Sequence, residues 1–222
     1  MPVIPTIAIR KCFRSLCVVA FGLSLLGCSS NGSGRYSLVW DLMDRAQADD
    51  YQRTRSEVVA YPYAQLGFVA GERQPGVAVL AQYAEGYFQW VAGDQFEMVI
   101  SPEGKLLVYR LGEEQLVLDW TRVPDFPHVD EYDVRVLQAT WPGSAGQGGM
   151  LRCMVRERTP QQITILQQSF GATYSQHECS GPELGTVIWQ FWHDDSDRVW
   201  RFEGAYAPGA TSFHLDTLKV PM

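Results

Sequence analysis

The sequence predicts an all-β protein: an antiparallel β-sandwich or a strongly curved, barrel-like sheet, with a short N-terminal helix. Three observations lead there. Short runs rich in β-branched and aromatic residues recur along most of the chain. Gly, Pro and paired polar residues break those runs at close intervals. Strands do not alternate with helical patterns, as a parallel sheet would require.

The elements follow in order. Leu38, Leu42, Met43 and Ala46 recur at helical spacing and predict the helix over 37–48. Residues 57–60, 64–70, 76–83 and 87–92 read as strands. Phe96 to Ile100 and Lys105 to Leu111 flank Ser101, Pro102, Glu103 and Gly104, a turn composition that predicts a hairpin. Gln115 to Trp120 adds a strand, and the chain turns from Pro124 to Pro127. A second set of strands is expected at 132–141, 151–158, 161–170 and 172–177. Residues 186–193 and 198–206 make a hairpin around Asp194, Asp195, Ser196 and Asp197, and 211–220 closes the chain. Strands this short and this closely spaced fit a sandwich or a barrel.

The amino terminus carries a separate signal. Arg10, Lys11 and Arg14 precede an apolar stretch from Leu16 to Leu26, and Gly27 stands before Cys28. Charge, apolar run and small residue in that order describe a secretory signal peptide. The stretch falls well short of the roughly 20 residues a membrane-spanning helix needs. Leu25, Leu26, Gly27 and Cys28 resemble the lipobox of bacterial lipoproteins, which are cut before the cysteine and acylated on it. That resemblance implies a signal peptide over 1–27 and a lipid-anchored flexible tether over 28–36, followed by a single β-rich periplasmic domain over 37–222. The bilayer is then a partner through acylated Cys28, and Ser29, standing where aspartate would mark retention, implies the outer membrane.

Residues 1–27 carry three of the 18 basic residues and none of the 25 acidic ones, which leaves 15 against 25 and a net charge of −10. A chain this acidic repels nucleic acid and anionic headgroups, so neither is an expected partner. Cys12 and Cys17 leave with the signal peptide, and Cys153 and Cys179 remain beside the acylated Cys28. In an oxidising periplasm that pair forms either a disulfide or two buried thiols on separate strands.

No motif nominates a catalytic residue. His128, His177, His193 and His214 stand apart in sequence, without the spacing of metal ligands, so no metal or other cofactor is expected. Asp194, Asp195 and Asp197 lack the central glycine and terminal glutamate of a calcium loop and read as a hairpin tip. Glu113, Glu114, Asp119, Asp125, Asp130 and Glu131 supply carboxylates, but nothing singles out a pair for glycoside hydrolysis. A Gly-x-Ser-x-Gly elbow, a P-loop and a dinucleotide fingerprint are all missing. The chain is therefore not expected to be an enzyme.

Aromatic residues are the remaining candidates. Trp40, Trp90, Trp120, Trp141, Trp189, Trp192 and Trp200 follow the lipobox, as do Tyr61, Tyr63, Tyr83, Tyr87, Phe88 and Tyr206. Sugars stack on exposed rings, although aromatics in strands mostly fill cores. Trp189 and Phe191 share one strand face while Gln190 and Trp192 share the other, so one of the two tryptophans is expected away from the main core. Trp189 and Trp192 are accordingly the candidates for glycan stacking.

Three stretches resemble the lipoproteins of capsule and exopolysaccharide operons, the GfcB/YjbF type. They are Tyr61-Pro62-Tyr63-Ala64, the run Phe96 to Ile100 with Gly104-Lys105-Leu106-Leu107, and Gln190 to Asp194 with the closing Leu218-Lys219-Val220-Pro221. The likeness spans nearly all of the chain after the signal peptide, but the loop from Trp141 to Gly149 has no place in the family pattern. It implies a non-enzymatic accessory factor in export or assembly of the polysaccharide, touching secretion components or the polymer itself. No site residues come with it. Two other functions fit the fold class: a lipid or lipoprotein carrier with an apolar cavity, and a periplasmic glycan hydrolase or lyase.

Overall fold

The computed structural model describes residues 53–72, 75–141, 148–205 and 209–221. Cys28, the tether and the helix expected over 37–48 lie outside them.

The described chain opens with a helix where a strand was expected. Thr54 caps α1 (Arg55–Ala60): its Oγ1 accepts from the Glu57 backbone N–H at 3.4 Å, and Glu57 Oε2 accepts from the Thr54 backbone N–H at 2.6 Å. This reciprocal capping box outweighs the β preference of Val58 and Val59 over so short a segment.

Twelve antiparallel strands follow among the described residues. They are β1 (Gln65–Ala70), β2 (Gly76–Ala84), β3 (Tyr87–Ala92), β4 (Phe96–Ile100), β5 (Leu106–Leu111) and β6 (Glu114–Asp119), then β7 (Glu131–Thr140), β8 (Gly149–Ile165), β9 (Gln168–Gly181), β10 (Gly185–His193), β11 (Val199–Ala205) and β12 (Ser212–Lys219). Each strand pairs with its neighbours in sequence, and β1 pairs with both β2 and β12, which closes the sheet. The barrel-like expectation describes this arrangement; two separate sheets of a sandwich do not. Closure pairs every strand on both sides over at least part of its length.

Alternation along each strand sets inside from outside. On β7, Tyr132, Val134, Val136 and Ala139 are buried, while Glu131, Asp133, Arg135 and Gln138 are exposed. The outer surface carries ion pairs such as Arg152 with Glu131, Arg156 with Glu178 and Arg158 with Asp130. An apolar interior with a charged exterior is the reverse of a lipid-embedded barrel.

A round barrel of this strand number would leave a lumen. Here the walls meet. Phe68 of β1 stacks on Phe96 of β4 with centroids 4.1 Å apart, and Tyr109 of β5 meets Phe213 of β12 edge-on at 4.4 Å. Trp120 contacts Phe126 at 5.2 Å and Trp189 at 6.0 Å, and Phe126 contacts Phe191 at 5.6 Å. Large rings from facing strands therefore fill the middle of the barrel.

A second apolar cluster lies outside this core. The β8–β9 hairpin runs far beyond its neighbours and folds against the outer face of β10 to β12. Trp192 Nε1 donates to Gln161 Oε1 at 3.0 Å, and Arg201 Nη2 donates to the Thr164 carbonyl at 3.2 Å. Ile163 and Ile165 pack there with Val58, Tyr174, Trp192 and Leu218.

The sequence pattern divides this hairpin into three strands, and the structure has two. Pro160 and Gly171 look like breaks but lie within the ladder, opposite Thr173 and Gln162. The turn itself is Leu166 and Gln167, both at positive φ (48° and 65°). That is the two-residue hairpin geometry usually built from Asn-Gly, so its residues carried no turn signal.

Candidate functional site

One mouth of the barrel gathers the β2–β3, β4–β5, β6–β7 and β10–β11 connections, together with α1 and Val220–Pro221. The β4–β5 turn folds against the start of β11, where the Val199 backbone N–H donates to the Pro102 carbonyl at 2.9 Å. Gly104 makes this closure feasible: at φ +89° its Cβ would stand 2.7 Å from Val199 Cγ2.

Beside that turn a cleft opens. Leu66, Ile100, Phe202 and Leu215 form its floor, and the rings of Phe88, Trp90 and Trp200 form its walls. Arg198, Val220 and Pro221 also line it. The room inside it is only about 40 Å³, far below that of a site enclosing a whole small molecule. Its walls are close together, so it suits a ring edge or a substituent rather than a lipid tail.

β2 extends the wall outward. Its pairing with β1 ends at Val79, whereas Gln82 to Ala84 pair only with β3. This lip carries Tyr83, 62% exposed. The Tyr83 ring lies 5.1 Å from Phe88, which lies 6.2 Å from Trp90. Three rings thus lead from solvent into the cleft.

Most polar groups around the cleft are committed to the fold. Ser101 Oγ accepts from the Lys105 backbone N–H at 3.1 Å, and Thr217 Oγ1 donates to the Val199 carbonyl at 3.0 Å. Asp194 Oδ2 accepts from Trp200 Nε1 at 2.8 Å, while its Oδ1 accepts from Ser196 and from the Arg198 backbone N–H. Partial burial pushes the Asp194 carboxyl up, but the bonds from Ser196, Trp200 and Arg198 outweigh it and hold the group below its ordinary value. Asp194 therefore organises the hairpin tip. The Arg198 guanidinium is different: among the described residues it has neither a hydrogen-bond nor an ion-pair partner.

The histidines fall in three environments. His177 points into the barrel, with Nδ1 2.8 Å from the Tyr132 hydroxyl and Nε2 3.0 Å from Ser175 Oγ. Ser175 and His177 share one face of β9, an i, i+2 spacing that matches no catalytic or metal-binding motif. All three side chains are buried, so no substrate reaches them. Burial, aided by Arg158 and His193, pushes His177 down to about 3 and keeps it neutral. His193 is buried too, its ring nitrogens have no partner among the described residues, and burial lowers it. His128 sits at the surface, 2.8 Å from Asp197.

His214 belongs to an outer-face network. Its Nδ1 is 2.9 Å from Glu203 and its Nε2 is 3.1 Å from Asp216. Asp216 also accepts from Arg201 Nε at 2.6 Å and Nη2 at 2.9 Å. Burial alone would lower His214, but its hydrogen bond to Asp216 and that carboxylate's charge outweigh burial and raise it. Among the described residues no three metal-ligating side chains converge.

Cys153 and Cys179 are direct partners across β8 and β9 and form a disulfide within the main core. The stacking expectation for Trp189 and Trp192 fails. Trp189 is 1% exposed, lies in the main core and donates to the Ala205 carbonyl at 3.0 Å. Trp192 does lie outside that core, but the folded-back hairpin covers it to 8% exposure. Neither ring has a face open to a sugar; Tyr83 does.

No protein-family model matches the chain, and no curated protein sequence matches it. Solved structures are more informative. The hypothetical lipoprotein YmcC from Escherichia coli K12 superposes with a TM-score of 0.70 at 16% identity, over 87% of this chain and 100% of that one. The chain has the YmcC fold. A protein from Bacteroides fragilis NCTC 9343, described as exported with a YmcC-like fold, gives 0.31 at 13% identity over 72% of this chain and 95% of its own. A protein from Parabacteroides distasonis ATCC 8503 described as a lipoprotein gives 0.30 at 8% identity over 72% and 94%. The likeness to YmcC concerns the fold alone.

Proposed function

We propose that this protein is an outer-membrane lipoprotein of the GfcB/YjbF type, a non-enzymatic accessory factor in export or assembly of a capsule or exopolysaccharide. Acylated Cys28 anchors it, and the tether over 28–36 lets the barrel stand off the bilayer on the periplasmic side. More than one acyl chain at that cysteine would make the anchoring stable.

The filled barrel carries this reading. With rings occupying the interior, the protein works through what its surface and mouth touch, and a carrier enclosing a lipid finds no room. Four of the six carboxylates considered for glycan hydrolysis serve the fold: Glu114 accepts from Thr211 Oγ1, Asp119 accepts from the Thr121 backbone N–H, Asp130 pairs with Arg158, and Glu131 pairs with Arg152. The partners are secretion components or the polymer. In cells expressing the operon, deleting the gene should lower polymer at the surface or trap it in the periplasm. Unchanged amounts in both compartments would overturn the proposal.

A further inference from the structure

We propose that the mouth cleft is a glycan subsite, in which Tyr83 at its rim stacks against a sugar ring and Arg198 within it takes a carboxylate of the same glycan. The proposal rests on the polysaccharide reading above and adds the site and the class of sugar.

Tyr83 is the first support. It sits on a strand, 62% exposed, with Phe88 packed behind it. Its pairing with Phe88 leaves most of the ring in water, where the C–H face of a pyranose can cover it. Trp192, the other outward aromatic considered, is covered by the hairpin.

Arg198 is the second support. Arg110, Arg152, Arg156, Arg158 and Arg201 each pair with a carboxylate of the fold. Arg198 lines the cleft with its guanidinium unpartnered among the described residues, while Asp194 of the same turn is filled by Ser196, Trp200 and the Arg198 backbone. A guanidinium is a planar fork that matches a carboxylate in bidentate fashion.

Charge then restricts where such a polymer can land. The chain after residue 27 carries −10, so an acidic glycan is repelled by most of the surface. A cation and an exposed ring at the same mouth of the barrel give it a place to make contact. The narrow cleft behind them accepts a ring substituent and excludes bulk.

The test titrates the mature chain, residues 28–222, with trigalacturonic acid, maltotriose and decanoate. Binding is followed by tryptophan fluorescence, since Trp90 and Trp200 line the cleft, and by methyl NMR at Leu66, Ile100 and Val199. Trigalacturonic acid should perturb these signals and bind at least about tenfold more tightly than maltotriose, the ratio expected for one charge-assisted bidentate contact. Tyr83→Ala and Arg198→Gln should each weaken it by about tenfold or more while the melting temperature holds.

No response to trigalacturonic acid, equal binding of maltotriose, a cleft response to decanoate alone, or unchanged binding in either variant would overturn the subsite. Both variants are also returned to the deletion strain. If deletion loses surface polymer and both variants restore it fully, the subsite falls and the export role stands. If deletion changes nothing but trigalacturonic acid binds as described, the export role falls and the subsite stands.

Discussion

Asp216→Ala should be among the most damaging single substitutions on the outer face. Asp216 is only 2% exposed and accepts two bonds from Arg201 and one from His214. Its removal leaves the Arg201 guanidinium, 19% exposed, without that counter-charge, although its bond to the Thr164 carbonyl survives. Breaking a buried pair on one side costs about 3–5 kcal/mol. Because Arg201 can turn partly towards water, the lower end, about 3 kcal/mol, is expected. That is a large share of a domain's roughly 5–15 kcal/mol and lowers the melting temperature by about 6–12 °C. The loss should also depend on pH. Asp216 raises His214, so that contribution is complete below the unfolded value and disappears as pH rises through the higher folded value. The substitution should therefore cost more at pH 6 than at pH 9. Urea unfolding at both pH values, followed by tryptophan fluorescence, measures this. A cost below about 1 kcal/mol, or a greater cost at pH 9, would refute the reasoning.

Three further outcomes concern the core and the β8–β9 turn. His177 is neutral in the fold and titrates near 3 rather than at 6.5, so the unfolded chain binds the extra proton between those values. Stability should fall as pH drops below about 6.5, by roughly 1.4 kcal/mol per pH unit from this group, and His177→Gln should flatten the slope in melting scans from pH 7 to 4. Replacing Cys153 and Cys179 together by Ser opens a cross-link with a sequence separation of 26 and should cost about 3 kcal/mol in urea unfolding; a cost near zero would contradict it. Gln167→Gly, at an exposed turn position with φ 65°, should stabilise by about 0.5–1 kcal/mol, whereas an unchanged midpoint would deny that the turn is strained.

Legibility in the sequence followed the locality of the signal. Ser101-Pro102-Glu103-Gly104 marks a turn by composition alone, and the hairpin it joins is β4–β5 as expected. The tip at Asp194 was equally readable because Asp bonds its own turn. The helix α1 was missed because a capping box of two residues overrode two valines. The Leu166–Gln167 turn was missed because its conformation is imposed by the strands on either side and by Leu166 packing against the second cluster. Alternation correctly placed Trp189 and Trp192 on opposite faces. It could not reveal that a hairpin would fold over Trp192, since the contact with Gln161 spans 31 residues. For the same reason Tyr83 and Arg198, 115 positions apart, come to one mouth of the barrel only through the long-range pairing of its strands.

The most direct test of the central claim is the rate at which newly made polymer reaches the cell surface. A pulse of labelled sugar precursor is chased in wild-type cells, in the deletion strain and in a Cys28→Ala strain. Synthesis should continue in all three while surface arrival slows in both mutants and labelled polymer accumulates inside. Arrival at the wild-type rate without the protein would contradict it.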